Sequence, residues 1–106
     1  MKGDIIVIPF PFSDLSGAKR RPALIVADLT GVDVIVCQIT SQPVSDGYAI
    51  PITDSDFASG QLQRDSFVRC NRLFTADSRT VLYRAGRLSS EKVQEVVDKI
   101  IEILSA

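Results

Sequence analysis

The sequence predicts a mainly β protein that ends in one α-helix. Three observations carry this. Short β-branched runs recur from Asp4 onward, each bounded by Gly, Pro, Ser or Asp. The apolar spacing changes near residue 90 to steps of three and four. The 106 residues suit one domain spanning 1–106 and no more. Five or six short strands and one helix therefore read as a strongly bent sheet or partly open barrel closed by the helix.

Asp4 to Phe10 (DIIVIPF) is continuous and β-branched, which suits a strand buried on both faces. PFSDLSGAK carries loop punctuation. Arg21 to Asp28 (RPALIVAD) reads as a second strand, with Pro22 confined to its first position or to an edge. Leu29–Gly31 turns the chain, and Val32 to Thr40 (VDVIVCQIT) reads as a third strand, so the pair predicts a hairpin. Ser41 to Gly47 is loop. Tyr48 to Thr53 is an edge strand, because Pro51 lacks an amide hydrogen. DSDFASGQL predicts a single helical turn, capped by Thr53 or Asp54 and ended by Gly60. RDSFVRCNRLFTAD holds one or two strands, and VLYRAGRLS a shorter one. Val93, Val96, Val97, Ile100, Ile101 and Leu104 form one apolar stripe, expected to face the core. Ser89 or Ser90 caps that helix, and Glu91 suits the positive end of its dipole.

The longest apolar run is too short to cross a bilayer, and the first residues do not read as a signal peptide. Cys37 and Cys70 lie in strand-like runs without metal-ligand spacing, which fits buried, reduced thiols in a cytoplasmic protein. The net charge of −1 hides a segregated distribution. Residues 22–61 hold five acids and no cation, whereas residues 62–87 hold six arginines and two acids. Lys19, Arg20 and Arg21 stand together before Pro22. Local positive patches can bind anions despite a near-neutral total, and the arginine fork matches phosphate.

KGDIIVIPFPFSD, KRRPALIV, QITS, RDSFVRCNRLFT and the terminal helix together resemble the PemK/MazF-type toxins of bacterial toxin–antitoxin pairs. The resemblance implies a small SH3-like barrel of five to seven short strands with a C-terminal helix, the CcdB/Kid/MazF-like architecture. It implies a two-fold homodimer that cuts single-stranded RNA without a metal or other cofactor and without a membrane. It also implies an antitoxin whose disordered tail occupies the RNA groove. By the same resemblance Arg21, in the RP motif, and Thr40, closing the third strand, are the catalytic pair. Ser41 and Arg69 line the groove with them. Asn71 stands where plasmid-borne relatives carry an aspartate, and the chain has no histidine.

The chemistry asks little of the protein. The substrate's 2′-hydroxyl attacks the adjacent phosphorus, so the enzyme needs alignment, proton transfer and neutralisation of phosphoryl charge. Arg21 is assigned as the electrostatic group and general acid, with Asp65 and Asp14 as candidate bases. Lys19, Arg20, Arg64, Arg69, Asn71 and Arg72 are candidate RNA contacts, and Phe12 a base-stacking platform. The bland alternatives are a solvated turn at 19–21, a strand-end cap at Thr40, and surface ion pairs of Arg64, Arg69 and Arg72 with Asp65 and Asp77. Two other activities fit the same fold: poisoning of gyrase through protein contacts, and binding of RNA or a partner without cleavage.

Overall fold

In the computed structural model, which describes residues 1–10 and 19–106, seven strands form a single antiparallel sheet. They are β1 (Asp4–Phe10), β2 (Lys19–Asp28), β3 (Asp33–Thr40), β4 (Ala49–Ile52), β5 (Phe57–Gly60), β6 (Ser66–Asp77) and β7 (Tyr83–Leu88). Helix α1 (Ser90–Ser105) follows. The order across the sheet is β4-β6-β3-β2-β1-β7-β5. Its two outermost strands, β4 and β5, are consecutive in the chain and joined only by the 3₁₀ turn Asp54–Asp56. A sheet whose opposite edges are tied by so short a link has to curl, and the result is the bent, half-closed barrel expected from the sequence.

Both sides of the sheet are packed. On one, Ile5, Leu24, Val26, Cys37, Ile39, Val68 and Cys70 meet Val93 and Val96 of the helix. On the other, Ile6, Ile8, Phe10, Ala23, Ile25, Val34 and Val36 form a second cluster. Phe74 closes this cluster with its ring edge-on to Phe10, centroids 5.0 Å apart, a geometry worth about 1 kcal/mol beyond simple burial. Double-sided burial explains why Asp4–Phe10 reads as an unbroken apolar run. Burial pushes the thiol of Cys37 up to about 12, with Cys70 nearby adding to the shift, and burial pushes Cys70 up to about 11. Both stay protonated and inert at neutral pH.

The structure corrects three details. The helical turn ends at Asp56, where the side chain accepts the Thr53 amide at 2.8 Å, and Phe57–Gly60 is a strand paired with β7. Gly60 (φ +70°) and Gly86 face each other there; a Cβ on Gly60 would strike the Ala85 carbonyl oxygen, and one on Gly86 would lie 2.6 Å from the Ser59 oxygen. The residue that looked like a helix stop is thus where two backbones meet closely. Pro22 lies fourth in a central strand. It is accommodated because the β2–β3 ladder ends at Ala23 and Gln38, so at Pro22 the strand is locally an edge on that side. In the helix, Val93 and Val96 are buried and Val97, Ile100 and Ile103 pack on the core, but Ile101 and Leu104 are 55% and 73% exposed. Ile101 lies round the side of the seam, and Leu104 falls in the last turn. Ser89 is the cap, accepting the Lys92 amide at 3.2 Å.

Pro51 sits on edge strand β4 as its chemistry requires. Strand β6 is a single element of twelve residues with a wide bulge: Cys37 pairs with Leu73 but Ile39 with Val68, so Arg69 to Arg72 stand against Gln38 alone. Among the described residues no helix is long and apolar enough to cross a membrane.

Candidate functional site

Strand alternation sorts the charged segment at the start of β2. Leu24 and Val26 point to the helix side, Ala23 and Ile25 to the other. The period of two then puts Arg20 and Pro22 on the helix side, and Lys19 and Arg21 on the opposite side. The end of β3 is sorted likewise. Ile39 faces the helix side, so Ser41 follows it, while Gln38 and Thr40 lie with Ala23 and Arg21. Two neighbouring pairs of residues therefore become two separate groups, Arg21 with Thr40 and Arg20 with Ser41.

The first group is set by register. Ala23 pairs with Gln38 and Leu24 with Cys37. The same register carried beyond the end of the ladder sets Arg21 across from Thr40. Both are half-buried, and the Arg21 guanidinium has no carboxylate partner among the described residues. Thr40 Oγ1 accepts the Gln42 amide at 3.1 Å. This is the strand-end cap, but it occupies only the oxygen. The hydroxyl proton remains available to donate, from an oxygen whose position is fixed.

The second group lines an open groove of about 550 Å³ that also includes Val7, Arg64, Ser66, Tyr83 and Arg84. Arg84 is held by Asp4 at 3.2 Å, whereas Arg20 and Arg64 have no carboxylate within ion-pair distance among the described residues.

Arg69 falls on the Arg21–Thr40 face, two residues along β6 from Phe67, the pairing partner of Thr40, but it is tied to an acid. Its Nη2 lies 3.2 Å from Asp46 Oδ2, and its Nε is buried without a partner. The Tyr48 amide, and then Arg69, hold the Asp46 carboxyl below the usual carboxylate range. Arg69 thus pairs with Asp46 and not with Asp65 or Asp77; the partner of Asp77 is Arg79, at 2.7 Å. Asn71 and Arg72 project from the β6 bulge, exposed, and line a hollow of about 230 Å³ with Gln38, Leu73 and Phe74. Gln38 connects this hollow to the Arg21–Thr40 side of the sheet. Lys19 is exposed and shares that side by alternation. Phe12 and Asp14 lie outside the described residues. No cluster of metal-ligating side chains occurs among those described.

Sequence reasoning missed Tyr83, Gln38 and the backbone clamp on Thr40. The period of two was the available signal. Applied to residues 19–22 and 38–41, it separates the faces before any coordinates are known.

No curated protein sequence matches the chain. Solved structures share its fold along nearly the whole length. An endoribonuclease from a Mycobacterial species, in complex with its cognate antitoxin, aligns with TM-score 0.78 at 13% identity, covering 99% of this chain and 94% of that one. The Mycobacterium tuberculosis toxin MazF-mt6 aligns with TM-score 0.75 at 20% identity, covering 96% of each chain. MazF of the Deinococcus radiodurans MazE–MazF complex aligns with TM-score 0.75 at 18% identity, covering 98% and 94%. The model of the PemK-like, MazF-like toxin of type II toxin–antitoxin systems matches residues 1–104, and with the match spanning almost every residue, the chain belongs to that family.

Proposed function

We propose that this toxin is a metal-independent endoribonuclease that cuts single-stranded RNA, with Arg21 and Thr40 as its catalytic pair. What supports the reading is the β2–β3 register carried two residues past the end of its ladder, which sets Arg21, without a carboxylate among the described residues, across from Thr40, whose oxygen is already clamped. The reaction forms a bond from the 2′-oxygen to phosphorus and breaks the bond from phosphorus to the 5′-oxygen. The products are a 2′,3′-cyclic phosphate and a 5′-hydroxyl. The proton leaving the 2′-hydroxyl and the one taken up by the 5′-oxygen balance. Arg21 supplies charge to the phosphoryl oxygens as they gain it, and Thr40 donates one hydrogen bond whose geometry is set before substrate arrives. Without histidine the proton transfers are inefficient, and a modest rate is expected. A slow enzyme remains toxic, because one cut inactivates a message.

The same reading makes the protein a cytoplasmic homodimer, silenced by an antitoxin with an acidic disordered tail that competes for the cationic mouth. The test is incubation of purified protein with single-stranded RNA of mixed sequence in EDTA. The expected result is discrete fragments ending in cyclic phosphate, lost in Arg21→Ala. Intact RNA in every sequence context, with bound RNA recovered whole, would leave a binding module. Toxicity that persists in Arg21→Ala and Thr40→Ala would instead point to a protein target such as gyrase.

A further inference from the structure

The groove on the helix side of β2 is not used by Arg21 and Thr40, and its chemistry is specific. Arg20 and Arg64 enter it from different strand ends without a carboxylate partner among the described residues. Tyr83 opens β7 and is 56% exposed while lining the same space. Gln61, Gln63 and Ser41 bring amides and a hydroxyl. Arg84 also borders the groove, but Asp4 balances its charge. Two arginine forks without a carboxylate among the described residues attract phosphate, an exposed ring offers a base a flat face, and two glutamine amides can donate to and accept from a base edge. About 550 Å³ is ample for one nucleotide.

We infer that this groove is a nucleotide subsite, in which Tyr83 stacks on the base of a nucleotide flanking the cut and Arg20 and Arg64 hold its phosphate. The inference deepens the ribonuclease reading and rests on it for the identity of the strand. An acidic peptide is the competing occupant. It would use the arginines but gain nothing from the ring, and an exposed tyrosine in a groove that also carries two glutamines favours a base.

The test uses the full protein and a single-stranded oligodeoxynucleotide, which binds but has no 2′-hydroxyl and cannot be cut. Tyr83→Leu is expected to weaken binding roughly five- to a hundredfold, the loss typical of one stacked base, while Tyr83→Phe restores it to about wild type. Arg64→Gln should lower the slope of log affinity against log salt by about 0.7, one phosphate contact on a single strand. Tyr83 is exposed and Arg64 has no carboxylate partner among the described residues, so native thermal unfolding is expected in each variant. Unchanged affinity in Tyr83→Leu, or a poly-glutamate chain that competes fully and ignores the ring, would overturn the inference. If wild type cleaves RNA while Tyr83→Leu binds normally, the subsite alone fails. If no RNA is cleaved but the Tyr83 and Arg64 effects appear, the subsite stands and the nuclease reading fails.

Discussion

The eight arginines fall into two equal groups. Arg69, Arg79, Arg84 and Arg87 each have a carboxylate within 3.2 Å, from Asp46, Asp77 and, for the last two, Asp4. Arg20, Arg21, Arg64 and Arg72 have none among the described residues. The paired group fastens the scaffold. Asp4 on β1 takes both Arg84 and Arg87 of β7, so a single carboxylate ties the strands that bring β5 to the barrel. The open group gathers around the start of β2 and the two ends of the 64–72 segment, where two cavities and the Thr40 hydroxyl also lie. A partnered arginine has its field cancelled locally, and an unpartnered one projects it toward solvent anions. Charge by itself therefore does not single out the proposed site; charge without a carboxylate partner among the described residues does.

The largest effect expected from this contrast is at Arg21. Arg21→Ala should lower the rate of RNA cleavage by about 10²–10³-fold, the loss typical of one preorganised transition-state donor. Its denaturation midpoint should match wild type, since the guanidinium has no carboxylate partner to lose among the described residues. The paired counterpart is Asp4→Asn. Three cations meet Asp4: the N-terminal ammonium at 3.2 Å, Arg84 at 3.2 Å and Arg87 at 2.8 Å. Its side chain is 13% exposed, and losing charge-assisted hydrogen bonds of this kind costs about 2–3 kcal/mol by chemical denaturation. Cleavage per folded molecule should remain. A fall in activity larger than the fall in folded fraction would blur the division.

The same carboxylate gives a pH signature. Burial alone would raise the Asp4 pKa, but hydrogen bonds from the N-terminal ammonium, Arg87 and Arg84 outweigh it and hold it below the ordinary 3.8. Asp77, bonded by the side chain and amide of Arg79, falls to about 2. The unfolded chain then takes up protons first on acidification. Stability is full above about pH 4 and declines as pH falls toward 2. Asp4→Asn should flatten part of that decline, which a urea titration at each pH would read.

The barrel and helix were legible because β-branched runs, turn residues and helical spacing are local signals, and each agrees with the fold. Strand β5 was not. Four residues, two of them Ser59 and Gly60, carry little strand signal of their own, and they are extended because β7 holds them. The candidate site residues could be named from the sequence, but their arrangement could not. Arg20 and Arg21 look alike in the sequence, and only the pleat assigns them to opposite faces. The commitment of Arg69 to Asp46 was hidden because the two lie 23 residues apart in the chain.

Arg69 is the residue that crosses the division, since its motif position suggests the substrate and its geometry the scaffold. Arg69→Gln removes a partly exposed ion pair, so the expected loss of stability is about 1 kcal/mol. Oligonucleotide affinity should change less than about twofold, within the range of a residue that makes no phosphate contact. A tenfold loss of affinity would move Arg69 into the open group and imply that substrate draws it away from Asp46.

The smallest effect is expected at Arg72, and it sharpens the open group internally. Arg72 stands on the β6 bulge beside Gln38, exposed and without a partner among the described residues. A contact there adds affinity without selecting a base. Arg72→Gln should weaken all single-stranded sequences alike and reduce the salt slope by about 0.7. The fragments produced should keep the same ends as those of wild type. If the cut sites shift instead, Arg72 and Asn71 read bases from the bulge, and specificity lies on the Arg21 side of the sheet and not in the Tyr83 groove.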